Sequence, residues 1–289
     1  MPTEKSTKDG SLYIVATPIG NLEDITLRAL RVLREVGLIA AEDTRRTRKL
    51  LNAHGIKTAL TSLYDQNEAR KSAFLIAKMQ AGIDVAYVSD AGTPGISDPG
   101  YLLVRQALAN GMRVVPVPGP SAVVAAISIS GLPMDAFVFS GFLPAKASKR
   151  RQFLADCREE KRTMVFYESP KRIVTALDDM REILADPEVV VVREMTKVFE
   201  EVIRGSAGEV IAALAGRTVK GEITLIVAGR GKAVPTTVDG DDLAERIATL
   251  LTDTDLSRRD IADRISAETG LPRQKVYREV IKAGSREKR

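Results

Sequence analysis

Five short apolar runs, at residues 12–16, 38–41, 59–63, 85–88 and 114–117, alternate with stretches of helical spacing at 25–36, 44–53, 67–80 and 100–110. A bounded apolar run of four or five residues reads as a strand buried on both faces. Strand–helix alternation of this kind specifies a parallel sheet, because a parallel neighbour is reached only by a crossover, and the crossover helices then cover the sheet. In the first helical stretch Ile25, Leu27, Leu30, Val32, Leu33 and Val36 follow the helical repeat, and Asp24 or Thr26 can cap it. Ligands of such sheets bind beyond the carboxyl ends of the strands. Three loops fall there, at 17–21, 89–99 and 118–122, all rich in Gly, Pro and small hydroxyl residues.

A second α/β unit follows, with strands expected at 137–140, 164–167, 189–193, 201–205 and 223–228 and a helix at 170–184. Residues 114–134 carry no charge, a length that suggests a membrane span. Pro116, Pro118, Gly119 and Pro120 break the first half, and Gly131-Leu132-Pro133 ends it, so the segment reads as strand, tight turn and buried helix. The expected organisation is a flexible N-terminus (1–10), an N-terminal α/β domain (11–120), a connecting helix (121–133), a second α/β domain (134–231), a linker (232–240) and a helical domain (241–289). The last part reads as three short helices, the final two at 257–267 and 272–283. Ser257 is placed as an N-cap and Pro272 as a first helical residue, which gives a helix-turn-helix outline.

Composition removes several chemistries. Cys157 is the only cysteine and His54 the only histidine in 289 residues, so an intramolecular disulfide and His-rich zinc sites are excluded, and a Ser-His-Asp triad or Cys-His pair would have to use His54, which reads as a surface or capping residue. A reducing cytoplasm is the expected location, and the polar first ten residues give no sign of a signal peptide. Neither G-x-G-x-x-G after the first strand nor G-x-x-x-x-G-K-[ST] occurs, which disfavours NAD enzymes and P-loop ATPases. No metal site is expected. A net charge of +5 is compatible with an RNA partner without requiring one.

The loop from Ser89 through Asp90, Ala91, Gly92, Thr93, Pro94, Gly95, Ile96, Ser97, Asp98 and Pro99 to Gly100 holds more Gly, Pro and Asp than a simple turn needs. It reads either as a ligand loop, with Asp90 accepting from an amino or ribose group, or as a rigid crossover. Ser121, after Pro118-Gly119-Pro120, caps the next helix, touches a ligand, or does both. In Glu42-Asp43-Thr44-Arg45-Arg46 the bases lie at a helix start, where the dipole disfavours them, so Arg45 and Arg46 read as phosphate contacts or as a solvated face. Lys146, Lys149, Arg150 and Arg151 form a second basic patch, and Lys171 and Arg172 a third. In the tail, Lys275, Arg278 and Lys282 share one helical face, readable as an RNA-phosphate clamp or as a frayed end.

Taken in order, these segments resemble the tetrapyrrole-methylase superfamily, the class III methyltransferases. Within it they resemble the bacterial enzymes that methylate the ribose 2'-hydroxyl of cytidine 1402 in 16S ribosomal RNA. The resemblance rests on Val15-Ala16-Thr17-Pro18-Ile19-Gly20-Asn21-Leu22, Ala41-Glu42-Asp43-Thr44-Arg45, the 89–100 loop and Pro118-Gly119-Pro120-Ser121-Ala122. It continues through Ser140-Gly141-Phe142-Leu143-Pro144, Phe166-Tyr167-Glu168-Ser169-Pro170, Arg193-Glu194-Met195-Thr196-Lys197 and Gly221-Glu222-Ile223-Thr224-Leu225. The first loop departs from the G-x-G-x-G-D pattern of tetrapyrrole-making relatives, which weakens a small-molecule reading.

The resemblance implies two α/β domains with S-adenosylmethionine in the cleft between them, a small C-terminal helical domain, a homodimer, and 16S rRNA of the small ribosomal subunit as substrate. Cofactor contacts carried over are Pro18, Ser89, Asp90, Ala91, Gly92, Ile96, Ser97, Ser121, Ala122, Phe142, Phe166, Tyr167, Glu222, Ile223 and Thr224. With no usable histidine, the proton of the hydroxyl falls to a carboxylate or lysine: Glu42, Asp43, Glu168, or the pair Glu194 and Lys197, which alternatively is a simple ion pair. RNA contacts are expected at Arg45, Arg46, Lys149, Arg150, Arg151, Lys171, Arg172, Lys275, Arg278 and Lys282. A corrin-precursor methylase and a non-catalytic RNA-binding assembly factor are the alternatives.

Overall fold

The computed structural model describes residues 9–230, 240–253, 256–269, 271 and 273–286, and the fold is stated for these. The first half runs β1 (Leu12–Val15), α1 (Leu27–Glu35), β2 (Leu38–Ala41), α2 (Thr44–Ala53), β3 (Leu60–Ser62), α3 (Glu68–Gln80), β4 (Val85–Val88), α4 (Tyr101–Ala109) and β5 (Val114–Val117). Its five strands form one sheet in the order β3-β2-β4-β1-β5, and every pair is parallel. Both faces are covered. Leu33, Ile39 and Leu51 pack on one side, and Leu75, Met79 and Tyr87 on the other. Of the two residues able to start α1, Thr26 is the cap, with its hydroxyl 3.1 Å from the Ala29 N–H.

α5 (Ala122–Ser128) links the halves and is capped by Ser121. The uncharged stretch therefore folds as strand, turn and short helix, and among the described residues no helix is long and apolar enough to cross a membrane. The second half comprises β6 (Phe137–Phe142), α6 (Ala147–Asp156), β7 (Thr163–Glu168), α7 (Ile173–Ile183), β8 (Glu188–Arg193), β9 (Glu201–Ser206), α8 (Ala207–Leu214) and β10 (Ile223–Val227). The sheet order is β6-β7-β10-β8-β9, parallel only between β6 and β7. β10, following α8, inserts into the middle of this sheet, so its residues Ile223 and Thr224 sit beside β7 and β8. Two helices lie outside the sequence expectation: α6 inside the basic patch, and α8, whose Ser206 and Glu209 form a reciprocal capping box.

α9 (Gly240–Asp253), α10 (Arg258–Thr269) and α11 (Arg273–Arg286) pack on one another around Ile247, Ile261, Ile265, Val276 and Val280. The Ser257 hydroxyl accepts from the Asp260 N–H, the cap expected there. Most of the flexible N-terminus, nearly all of the 232–240 linker, and Pro272 lie outside the described residues.

Candidate functional site

The carboxyl ends of β1, β4 and β5 deliver their three loops to one place. Thr17 and Gly92 exchange both backbone hydrogen bonds, at 2.9 and 3.0 Å. The Thr93 hydroxyl donates to the Pro120 carbonyl at 3.2 Å, tying the second loop to the third. Facing them are the ends of β6, β7, β8 and β10. The two halves touch where the Asn21 N–H donates to the Thr196 hydroxyl at 3.1 Å. Gly20 permits this approach, because a Cβ there would sit 2.6 Å from the Thr196 and Lys197 side chains.

Between the halves lies a cleft of about 330 Å³, within the range of small-molecule sites. The first half contributes Ile19, Ala91, Gly92, Thr93, Ile96, Ser97, Asp98, Ser121 and Ala122. The second contributes Phe142, Tyr167, Glu168, Ser169, Pro170, Val192, Met195, Gly221, Glu222, Ile223 and Thr224. Among the described residues, the lining holds three carboxylates, on Asp98, Glu168 and Glu222, and no Lys, Arg or His. Phe142 and Tyr167 form an aromatic wall with ring centroids 5.5 Å apart, and Phe142 leaves 57% of its surface open. Burial, with Asp98 and Glu222 nearby, pushes the Tyr167 phenol up to about 12, so it stays neutral.

Of the cofactor contacts implied by resemblance, Ala91, Gly92, Ile96, Ser97, Ser121, Ala122, Phe142, Tyr167, Glu222, Ile223 and Thr224 line this cleft. Pro18, Ser89, Asp90 and Phe166 do not. Strand alternation puts Phe166 on the opposite face of its sheet from Tyr167, in the core with Met164 and Leu177. The Ser89 side chain is enclosed and donates to the Ala91 carbonyl at 3.3 Å. The Asp90 carboxylate is already engaged: Oδ1 accepts from the Asp43 N–H at 3.0 Å, and Oδ2 lies 3.4 Å from Arg46. Asp90 thus joins the β4 loop to the start of α2 and stands outside the cleft lining.

The proton-transfer candidates are likewise engaged with protein partners. Glu194 and Lys197 do share one loop, as an ion pair at 2.7 Å, and neither lines the cleft. The Lys197 ammonium also reaches Glu222 at 3.0 Å. The hydrogen bond from Lys197 holds the Glu194 carboxyl below its usual range. Burial opposes the Lys197 charge, yet its bonds to Glu194 and Glu222 outweigh that and raise its pKa. A weakened base paired with a strengthened cation is a brace for the rim. Glu168 is enclosed, its Oε1 bonded to Arg172 at 2.5 Å and to the Ser169 N–H at 2.6 Å. Asp43 caps α2 by accepting from the Arg45 N–H at 2.8 Å, and its bond to the Arg45 side chain drives its pKa down. Glu42 is half-buried and raised by that burial, but it lies outside the lining and accepts from the Asp90 N–H.

The basic residues divide. Arg150 is only 5% exposed and pairs with Asp179 at 2.7 Å, so it is a core ion pair rather than an RNA contact. Arg151 is held by both Asp179 and Glu182. Arg172 is committed to Glu168, and Arg45 to Asp43. Lys149, Lys171, Lys275, Arg278 and Lys282 are exposed, Lys282 alongside Glu279 at 2.7 Å. Asp98 had no part assigned from sequence, since the loop's other aspartate stands nearer the strand end. The signal available was its position immediately before Pro99 and the helix, where a loop turns back toward the sheet.

Residues 11–211 match the profile of the Tetrapyrrole (Corrin/Porphyrin) Methylases. The chain belongs to that family. Among curated relatives, it is 49% identical over 225 residues to "Ribosomal RNA small subunit methyltransferase I" of Halalkalibacterium halodurans, covering 78% of each chain. It is 42% identical over 269 residues to the protein of the same name from Synechocystis, covering 93% of this chain and 96% of the relative. A solved cobalt precorrin-4 methyltransferase shares the family fold with a TM-score of 0.57 at 17% identity, over 79% of this chain and 97% of that one.

Proposed function

We propose that the protein transfers the methyl group of S-adenosylmethionine to the ribose 2'-hydroxyl of cytidine 1402 in the 16S rRNA of the small ribosomal subunit. The observation that carries this reading is the match, over nearly the whole of both chains, to a relative named for methylation of small-subunit ribosomal RNA. The resemblance in the ordered motifs supports the nucleotide and the ribose oxygen.

The cleft fits the donor. Among the described residues no Lys, Arg or His lines it, and with Glu168 and Glu222 each paired to a cation outside the lining, Asp98 leaves a net negative charge that favours a sulfonium over the phosphates of NAD or ATP. S-adenosylmethionine supplies a methyl group already activated by positive sulfur. The protein's part is to hold that methyl in line with the ribose oxygen, which is worth roughly 7–11 kcal/mol in well-aligned cases. Phe142 and Tyr167 offer flat faces to a purine, and the Lys197 brace between Glu194 and Glu222 holds the rim. Exposed Lys149, Lys171, Lys275, Arg278 and Lys282 are suited to phosphates, with the 241–289 helices serving as an RNA-binding unit. A cytoplasmic homodimer completes the reading.

Incubating the protein with methyl-labelled S-adenosylmethionine and unmodified small subunits tests it. Label on the ribose of cytidine 1402 is the expected result. Label on another atom or nucleotide would move the specificity, and absence of transfer would favour an assembly factor.

A further inference from the structure

We propose that Asp98 is the general base for the attacking ribose hydroxyl, an assignment that rests on the methyl-transfer reading above. Of the three carboxylates lining the cleft, Glu168 pairs with Arg172 through Oε1, with its Oε2 enclosed and unbonded, and Glu222 pairs with Lys197. Asp98 is the one for which no ion pair is found among the described residues. Apart from the bond from the Ser89 hydroxyl, a carboxylate without an ion pair facing a cleft keeps lone pairs for a ligand proton.

The backbone holds Asp98 in place from both sides. Ser97 is in the left-handed region at φ 63, a conformation retained only where the surroundings enforce it. On the other side the Pro99 carbonyl accepts from the enclosed Tyr87 phenol at 2.8 Å, and Glu68 Oε1 accepts from the Gly100 N–H at 3.0 Å. The Ser89 hydroxyl bonds to the Asp98 carboxylate, and the titratable groups that act on its charge or sense it are Asp65, Asp90, Glu42, Tyr87 and Tyr167. Burial comes first in raising the Asp98 pKa, and Asp90 and Asp65 add to it, against the opposing Ser89 hydrogen bond. A raised carboxylate is a stronger base once ionised.

In the step itself Asp98 Oδ takes the hydroxyl proton as the ribose oxygen forms its bond to the methyl carbon. The carbon–sulfur bond breaks and its electron pair stays on sulfur, leaving a neutral thioether. The proton then passes from Asp98 to solvent through its partly exposed side.

The test compares wild type, Asp98→Asn and Asp98→Glu in three measurements: calorimetric binding of S-adenosylmethionine, single-turnover transfer to small subunits at saturation, and the pH dependence of that rate. For Asp98→Asn, transfer is expected to fall by roughly 10²–10⁴-fold, the usual worth of a positioned base, well beyond the loss of donor affinity that removing one cleft carboxylate brings. The wild-type rate should fall on the acid side with an apparent pKa above the ordinary aspartate value, and that limb should vanish in Asp98→Asn. Asp98→Glu should restore part of the rate and the limb. Equal loss of donor affinity and rate would make Asp98 a donor-binding residue and overturn the proposal, as would a wild-type rate and acid limb in Asp98→Asn. If wild type itself transfers no label, the methyl-transfer reading fails and this one with it.

Discussion

The Tyr87 hydroxyl donates to the Pro99 carbonyl across 2.8 Å inside the core of the parallel sheet. A strand residue thereby sets the height of the loop that follows it, and the next residue closes the fit. Gly100 has φ 121, and a Cβ there would lie 2.4 Å from the Tyr87 ring. Tyr87→Phe should cost about 1 kcal/mol, the net worth of a buried hydrogen bond, with a larger proportional loss of donor affinity because the loop carries cleft residues. Gly100→Ala should cost more, since strain and collision add. Urea unfolding alongside calorimetry checks both, and a Tyr87→Phe protein with unchanged donor affinity would show that the loop holds itself.

Arg150 and Asp179 form a buried pair bridging α6 and α7. Removing one partner strands the other charge, so Asp179→Ala should destabilise by about 3 kcal/mol. RNA affinity, measured on the folded fraction, should not change.

The same pair gives a pH dependence. Burial pushes the Asp179 carboxyl up, but its bonds to Arg151 and Arg150 win and leave it below the ordinary value. Its contribution to stability is therefore complete above the unfolded carboxylate pKa, near 4, and drains away as pH falls through the lower folded value. Unfolding midpoints should show an acid-side loss below about pH 4 that is smaller in Asp179→Asn.

Glu194→Gln should leave the saturated single-turnover rate within about tenfold of wild type, because its carboxylate is occupied by Lys197 and the Glu222 N–H. A loss of a thousandfold or more would return Glu194 to the reacting centre. Lys197→Met should chiefly weaken ligand binding by loosening the rim.

Replacing Lys275, Arg278 and Lys282 together with Gln keeps the Val276 and Val280 face of α11 intact. If these three touch phosphates, affinity for small-subunit RNA drops and the log–log salt slope shallows by about 0.7–0.9 for each phosphate no longer neutralised. An unchanged slope would assign the helices to folding or to association between subunits.

The parallel half is legible because its constraint is local: each apolar run carries its own strand, and each crossover its own helical repeat. The pairing of the second half is not, since β7, β8 and β10 are equally apolar whichever direction their neighbours run. α8 hid behind the strand before it although Ser206 and Glu209 announce it. Arg150 reads as a surface charge until Asp179, 29 residues on, is brought against it by the packing of α6 on α7. In the 89–100 loop, composition marks the segment but cannot divide labour between two aspartates. Asp90 is engaged by the Asp43 N–H and Arg46, an arrangement set by the tertiary path of α2, whereas Asp98 lines the cleft.

Because the cleft draws one wall from residues 19–122 and the other from residues 142–224, it comes into being late in synthesis. A nascent chain that has emerged only through β9 lacks β10, the strand that sits between β7 and β8 and supplies Ile223 and Thr224. A ligand seated between the walls would hold the two sheets together and favour only the finished protein, by an amount that grows as RT ln(1 + [L]/Kd). Cells short of the methyl donor would then carry a form of this protein that opens more readily along that seam, and proteolysis there would report donor supply.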